Sequence, residues 1–304
     1  MPVTLTAEET LGIAYQPGDQ TMLKRYRFAP DPAIYGPGPY PTVLLIPPAE
    51  FKGADDAGVT SERWASYDLQ QAGFLVFQVE HRLAPPGYLD GQPHGTGQDQ
   101  TDRPAESGRP PEQTDDTKRQ ILAALDDADC NGSIYLIGGS SGACHALWVA
   151  LDSASGAVTL WNNDVRLKIK AVVGLSGTYD LGSRTYDGQT FQAGTYVDII
   201  ENYTNTHLMM QWYGTQEAAS PMTLIANASS CPPVMLFVSD DDTVPSNQST
   251  NMKTALKSKF PAVEVAEYTL LNSDSHAFQY WHMQNPAVSD CISHQVITFL
   301  ESYP

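Results

Sequence analysis

Apolar residues along this chain gather into short, nearly unbroken runs, set apart by longer polar stretches with helical spacing. Thr42 to Ile46, Phe74 to Val79, Ile134 to Ile137, Ala171 to Ser176 and Val234 to Val238 are the runs. A strand apolar at consecutive positions is buried on both faces, the condition of a parallel sheet covered by helices. Between these runs, Ser61 to Gln71, Thr117 to Ala128, Ala143 to Leu151, Ser249 to Phe260 and Asp290 to Tyr303 read as helices. Ile121, Leu122 and Leu125 in one, and Ile292, Val296, Ile297 and Leu300 in another, return at the interval of a single helical face. Leu11 to Tyr15 and Met22 to Phe28 read as an antiparallel pair, and Val263 to Thr269 alternates as an outer strand.

Strands alternating with helices predict an α/β fold with a mostly parallel central sheet and helices on both faces. Ligands of such folds bind beyond the carboxyl ends of the strands. Residues 91–111 are rich in Gly, Gln, Asp, Thr and Pro with almost nothing apolar, and read as a polar surface loop. Residues 178–230 are less regular and hold Tyr203, Met209, Met210, Trp212 and Tyr213, a candidate cap over a pocket. Neither a repeat nor a sharp change of composition divides the chain, so residues 1–304 read as one domain.

With 41% hydrophobic and 17% charged residues among 304, the composition is that of a globular protein with a sizeable core. A net charge of -18 argues against nucleic acid as a partner, and the acidic, lysine-poor surface favours a secreted or periplasmic setting. No apolar run reaches the length of a membrane span, and Met1 to Leu5 lacks the basic start and apolar core of a signal peptide. The four cysteines include no C-x-x-C. Cys144 reads as a buried free thiol, and Cys231 with Cys291 ranks first as a disulfide. No histidine pair has metal-ligand spacing, so neither a metal nor another cofactor is expected.

The candidate chemistry starts where the run ending at Ile137 meets Gly138-Gly139-Ser140-Ser141-Gly142 and then a helix. G-x-S-x-G between strand and helix fits the nucleophile elbow, a sharp turn that lifts a serine above the sheet. Its flanking residues must be small because strand and helix nearly touch there. A serine hydroxyl needs a base, and the base needs an acid to orient it. Asp240-Asp241-Asp242-Thr243-Val244-Pro245 follows one late strand, and Ser275-His276-Ala277-Phe278 follows the last. His282, beside Tyr280-Trp281, is the rival to His276 as the base.

Taken in order, these segments resemble the α/β-hydrolase superfamily, and within it the hormone-sensitive-lipase-like and feruloyl or acetyl esterases. Glu80-His81-Arg82-Leu83-Ala84-Pro85 is similar to their D-Y-R-L-A-P, with His81 in place of tyrosine. Gly138 to Ala143 is similar to their G-G-S-S-G-A, Asp241 to Pro245 to D-x-x-V-P, and His276 to Phe278 to H-x-F. The resemblance implies Ser140 as nucleophile, His276 as general base and Asp241 as orienting acid, with Asp242 second choice for the acid. It also implies an α/β-hydrolase fold with a small cap or loop insertions, and a serine carboxylic-ester hydrolase that needs no cofactor.

The chain departs from the family at the oxyanion hole. Where the relatives carry H-G-G-G, it has Pro47-Pro48-Ala49-Glu50-Phe51, and proline cannot donate. The expected donors are the backbone N–H groups of Ser141 and of Ala49 or Glu50. Phe51, Met209, Trp212 and Trp281 are expected to line the substrate pocket, for a small-molecule aryl, feruloyl-like or short-to-medium acyl ester. Arg82 is expected to pair with a carboxylate, Asp116 being the candidate. The alternatives are a serine peptidase of the same fold and a non-catalytic binding protein.

Overall fold

The computed structural model describes residues 7–13, 21–48, 51, 58–82, 84, 108, 110–182, 185–186, 189–190, 195–204, 216–285 and 287–304. Ala49, Glu50, Met209, Trp212 and most of the 91–111 loop lie outside the described residues. One sheet of eight strands organises the rest: β1 (Ala7–Ile13), β2 (Thr21–Phe28), β3 (Tyr40–Ile46), β4 (Leu75–Val79), β5 (Cys130–Gly139), β6 (Ile169–Leu175), β7 (Val234–Ser239) and β8 (Val265–Leu270). Their spatial order is β1-β2-β4-β3-β5-β6-β7-β8. β1 and β2 are antiparallel, as the sequence predicts, and β2 is antiparallel to β4. All the other pairings are parallel.

The double-sided burial expected of the apolar runs is present. β3 sends Leu44 and Ile46 into one core, and Val43 and Leu45 into a second. The first core is closed by α2 (Glu112–Leu125), α3 (Ser141–Leu151) and α5 (Asn247–Lys259), through side chains such as Ile121, Leu147 and Met252. The second is closed by α1 (Gly58–Gln71) and α6 (Ile292–Glu301), through Ala65, Leu69, Ile292 and Val296. A further helix, α4 (Thr195–Thr204), falls in the candidate cap segment. Among the described residues no helix is long and apolar enough to cross a membrane.

Two expectations change. Helix α2 begins at Glu112 rather than Thr117, because its first turns bury polar side chains, Gln113 to Lys118, that apolar spacing cannot reveal. The Cys231–Cys291 disulfide does not form, and all four cysteines are free. Cys231 is packed in the first core, whereas Cys291 precedes α6 on the other side of the sheet and contacts the Trp281 carbonyl. Unfolded in denaturant without reductant, the protein should therefore release four titratable thiols to Ellman's reagent.

The Arg82–Asp116 pair is present, and buried. Arg82 donates through Nε (2.9 Å) and Nη2 (3.0 Å) to the two carboxylate oxygens, and its backbone N–H donates to Oδ2 (2.9 Å). The side chains are 3% and 0% exposed, so the fork ties the end of β4 to α2 out of reach of water. Removing one partner strands a buried charge. Asp116→Ala should cost about 3–5 kcal/mol of unfolding free energy in urea titration. A cost within the error of that titration would show the pair idle.

Candidate active site

The turn from β5 into α3 is set by what cannot fit. A Cβ on Gly138 would lie 2.3 Å from the carbonyl oxygen of Gly142, and a Cβ on Gly142 would lie 2.3 Å from that of Ile46, at the end of β3. Either would require the backbone to move, so both positions are glycine. Ser140, between them, is held at φ 50°, ψ -116°, a left-handed conformation that costs a residue with a side chain about 1–3 kcal/mol. Its N–H donates to the Leu175 carbonyl at the end of β6 (2.8 Å). The N–H of Ser141 belongs to the first turn of α3, the end of the helix that carries partial positive charge.

The histidine and its acid come from the loops after β8 and β7. His276 Nδ1 donates to Asp242 Oδ1 at 2.7 Å, and that carboxylate is fully buried while the ring is 27% exposed. With Nδ1 committed to the acid, Nε2 keeps its lone pair for a proton. The carboxylate that pairs with His276 is therefore that of Asp242 and not of Asp241. The three aspartates are sorted by the turn that carries them. Asp240 is exposed, and its carboxylate accepts the N–H groups of Asn272 (2.9 Å) and Ser273 (3.1 Å), which hold it below the usual carboxylate range. Asp241 is also exposed, and its backbone bonds to the Ser273 carbonyl (3.1 Å). Asp242 folds back onto the N–H of Val244 (3.0 Å), which turns its carboxylate inward.

The serine and histidine loops meet at one strand end. The residue before Ser140, Gly139, is packed so tightly on Ala277 and Phe278 that a Cβ there would lie 3.0 Å from both side chains. The N–H of Ala277, next to His276, donates to Ser176 Oγ (3.0 Å), one residue beyond the carbonyl that holds Ser140. The rival base lies elsewhere. His282 Nε2 bonds to Asp68 Oδ2 (2.7 Å), which also accepts Trp281 Nε1 (2.9 Å). Trp281 is thus a buried core residue against α1 rather than a pocket wall, because the short helical turn Ala277–Tyr280 rotates it to that side.

Phe51 ends the segment expected to supply the other oxyanion donor. It is 2% exposed, at φ 60°, so it offers a substrate almost no surface. Its ring stacks on Tyr203 of α4 (centroids 4.0 Å) and meets His145 of α3 edge-on (5.5 Å). Its carbonyl accepts the N–H of Ala84 (2.6 Å) and Gln113 Nε2 (2.7 Å). Gln113 Nε2 also donates to the Gly108 carbonyl (2.9 Å), so its Oε1 faces His145 Nε2 (3.0 Å), which must carry the proton. His81 Nδ1 donates to the Arg82 carbonyl (2.8 Å), and its ring meets that of His145 at 4.7 Å between centroids. Tyr203 belongs to the candidate cap segment, whereas the sequence assigns Gln113 and His145 no place at the site. A glutamine in a polar helix start and a histidine inside an apolar helix carry no motif.

Burial drives the basicity of His145 well below the ordinary imidazole value of 6.5, helped by His81 beside it, and burial lowers His81 as well. Both are neutral in the fold, and unfolding frees them to bind protons. Their contribution to stability is intact above pH 6.5 and drains away as pH falls beneath it. Urea titrations between about pH 7.5 and pH 5 should show this slope, and His81→Phe should make it shallower. An unchanged slope in His81→Phe would mean that His81 binds no proton on unfolding.

Fold and site together define an α/β-hydrolase with a serine elbow. The chain belongs to the BD-FAE family, whose model matches residues 103–256, half of its length, and it is an esterase-type enzyme. No curated protein sequence matches it. Among solved structures it is similar to the acetyl ester-xyloside bifunctional hydrolase of Caldicellulosiruptor lactoaceticus, with TM-score 0.62 and 16% identity over 95% of this chain and 90% of that one. Thermogutta terrifontis esterase 2 phosphonylated by sarin superposes with TM-score 0.63 at 16% identity, over 98% and 94% of the two chains. The hyperthermophilic esterase of Pyrobaculum calidifontis does so with TM-score 0.62 at 17% identity, over 98% and 86%. Likeness at such identity concerns the fold.

Proposed function

We propose that this chain is a serine carboxylic-ester hydrolase in which Ser140 is the nucleophile, His276 the general base and then acid, and Asp242 the orienting carboxylate. The observation that carries the reading is the pairing of His276 with the buried carboxylate of Asp242, at the strand end where the left-handed Ser140 also sits. In this mechanism Ser140 Oγ attacks the ester carbonyl as His276 Nε2 takes its proton. The imidazolium that forms is stabilised by Asp242. The oxyanion is received by the Ser141 N–H and by an N–H of the Ala49–Glu50 segment. The proton then passes to the departing alkoxide, and water releases the acyl group by the same steps in reverse.

The names of the neighbours support an ester substrate. One is named an acetyl ester-xyloside bifunctional hydrolase, and another is an esterase phosphonylated by sarin. An aryl, feruloyl-like or short-to-medium acyl ester is the substrate class proposed here. A fluorophosphonate probe should label the wild type and not Ser140→Ala, and a panel of p-nitrophenyl and hydroxycinnamoyl esters should be turned over only by the former. Asp242→Asn should lower kcat by about ten-thousand-fold by favouring the wrong tautomer of His276, with Asp241→Asn close to wild type. Equal labelling of both proteins, or a greater loss in Asp241→Asn, would contradict the assignment.

A further inference from the structure

Ser176 lies just beyond β6, with no exposed surface, at φ 51°. Glycine would occupy that conformation without strain, and the chain supplies glycine at the next position. Serine there carries both a strained backbone and a buried hydroxyl. The hydroxyl is fully used. Tyr280 O–H bonds to the Phe237 carbonyl (3.2 Å), which can only accept, so the tyrosine oxygen receives the Ser176 O–H (3.2 Å). That direction leaves a lone pair on Ser176 Oγ for the N–H of Ala277 (3.0 Å). The backbone N–H of Ser176 donates to the same Phe237 carbonyl (2.8 Å), so the serine is fixed at both ends.

Two adjacent residues of one strand end thus hold the two halves of the site. The Leu175 carbonyl takes the N–H of Ser140, and the Ser176 hydroxyl takes the N–H of the residue following His276. On the other side of the histidine, Ser239 Oγ donates to the Ser275 carbonyl (2.7 Å). We propose that Ser176 is a positioning residue, whose hydroxyl sets where His276 stands relative to Ser140 by holding Ala277. This rests on the reading of Ser140 and His276 as nucleophile and base.

Two variants separate this role from a structural one. Ser176→Gly loses the hydroxyl and relieves the left-handed strain, whereas Ser176→Ala loses the hydroxyl and keeps the strain. Their melting temperatures should therefore differ, with the glycine variant the more stable. Their kinetics should agree: kcat reduced by about 100-fold in both, with KM within about twofold of wild type and fluorophosphonate labelling slowed in step. Ser140-dependent turnover at wild-type kcat in both variants, or activity that follows melting temperature instead of the hydroxyl, would overturn the inference alone. Turnover that survives Ser140→Ala would overturn the triad and the inference with it.

Discussion

Between the end of β5 and the first turn of α3 the two backbones lie so close that a methyl group has nowhere to go. A Cβ at either Gly138 or Gly142 would come within 2.3 Å of a carbonyl oxygen. Closing strand onto helix at this distance holds Ser140 in a left-handed conformation between the end of β5 and α3, 7% exposed. The strain is tolerable because it is over-determined from outside. β3 blocks one side through the Ile46 carbonyl, and β6 holds the serine N–H on the other. The position of Ser140 is thus set by the fold alone.

Around that fixed point the remaining groups are delivered by loops, each pinned by hydrogen bonds to neighbouring strand ends. Asp242 is turned inward by its bond to Val244, and the histidine segment is held by the hydroxyls of Ser239 and Ser176. The segment after β3 is held differently, through the Phe51 carbonyl and a ring packed between Tyr203 and His145. This chain, with Pro47-Pro48, uses a side-chain clamp from α2, α3 and α4 at the same place.

What was legible in the sequence was what burial imposes on both faces of an element at once. The central strands announce themselves because Val43 and Leu44, neighbours in the chain, are buried in different cores, and the elbow because only glycine fits beside Ser140. What was hidden depended on turns and on polar burial. Asp240, Asp241 and Asp242 are chemically identical, and only the fold of their turn distinguishes them. Trp281 lies near His276 in sequence, yet one helical turn sends it into the core against α1. The start of α2 was missed because Gln113 and Asp116 are buried through hydrogen bonds, which leave no apolar rhythm. The cysteine pairing failed because distance along a chain says little about which side of a sheet a thiol occupies.

Helix α3 is buried along its whole length, from Ser141 to Leu151. Almost any replacement in it must therefore displace atoms already in contact with a strand or another helix. Mutational drift is shut out of the one helix that carries the elbow, and selection is left to act on the connections that surround it. A lineage built on this frame can exchange one ligand preference for another by rewriting those connections, while inheriting the elbow serine unchanged.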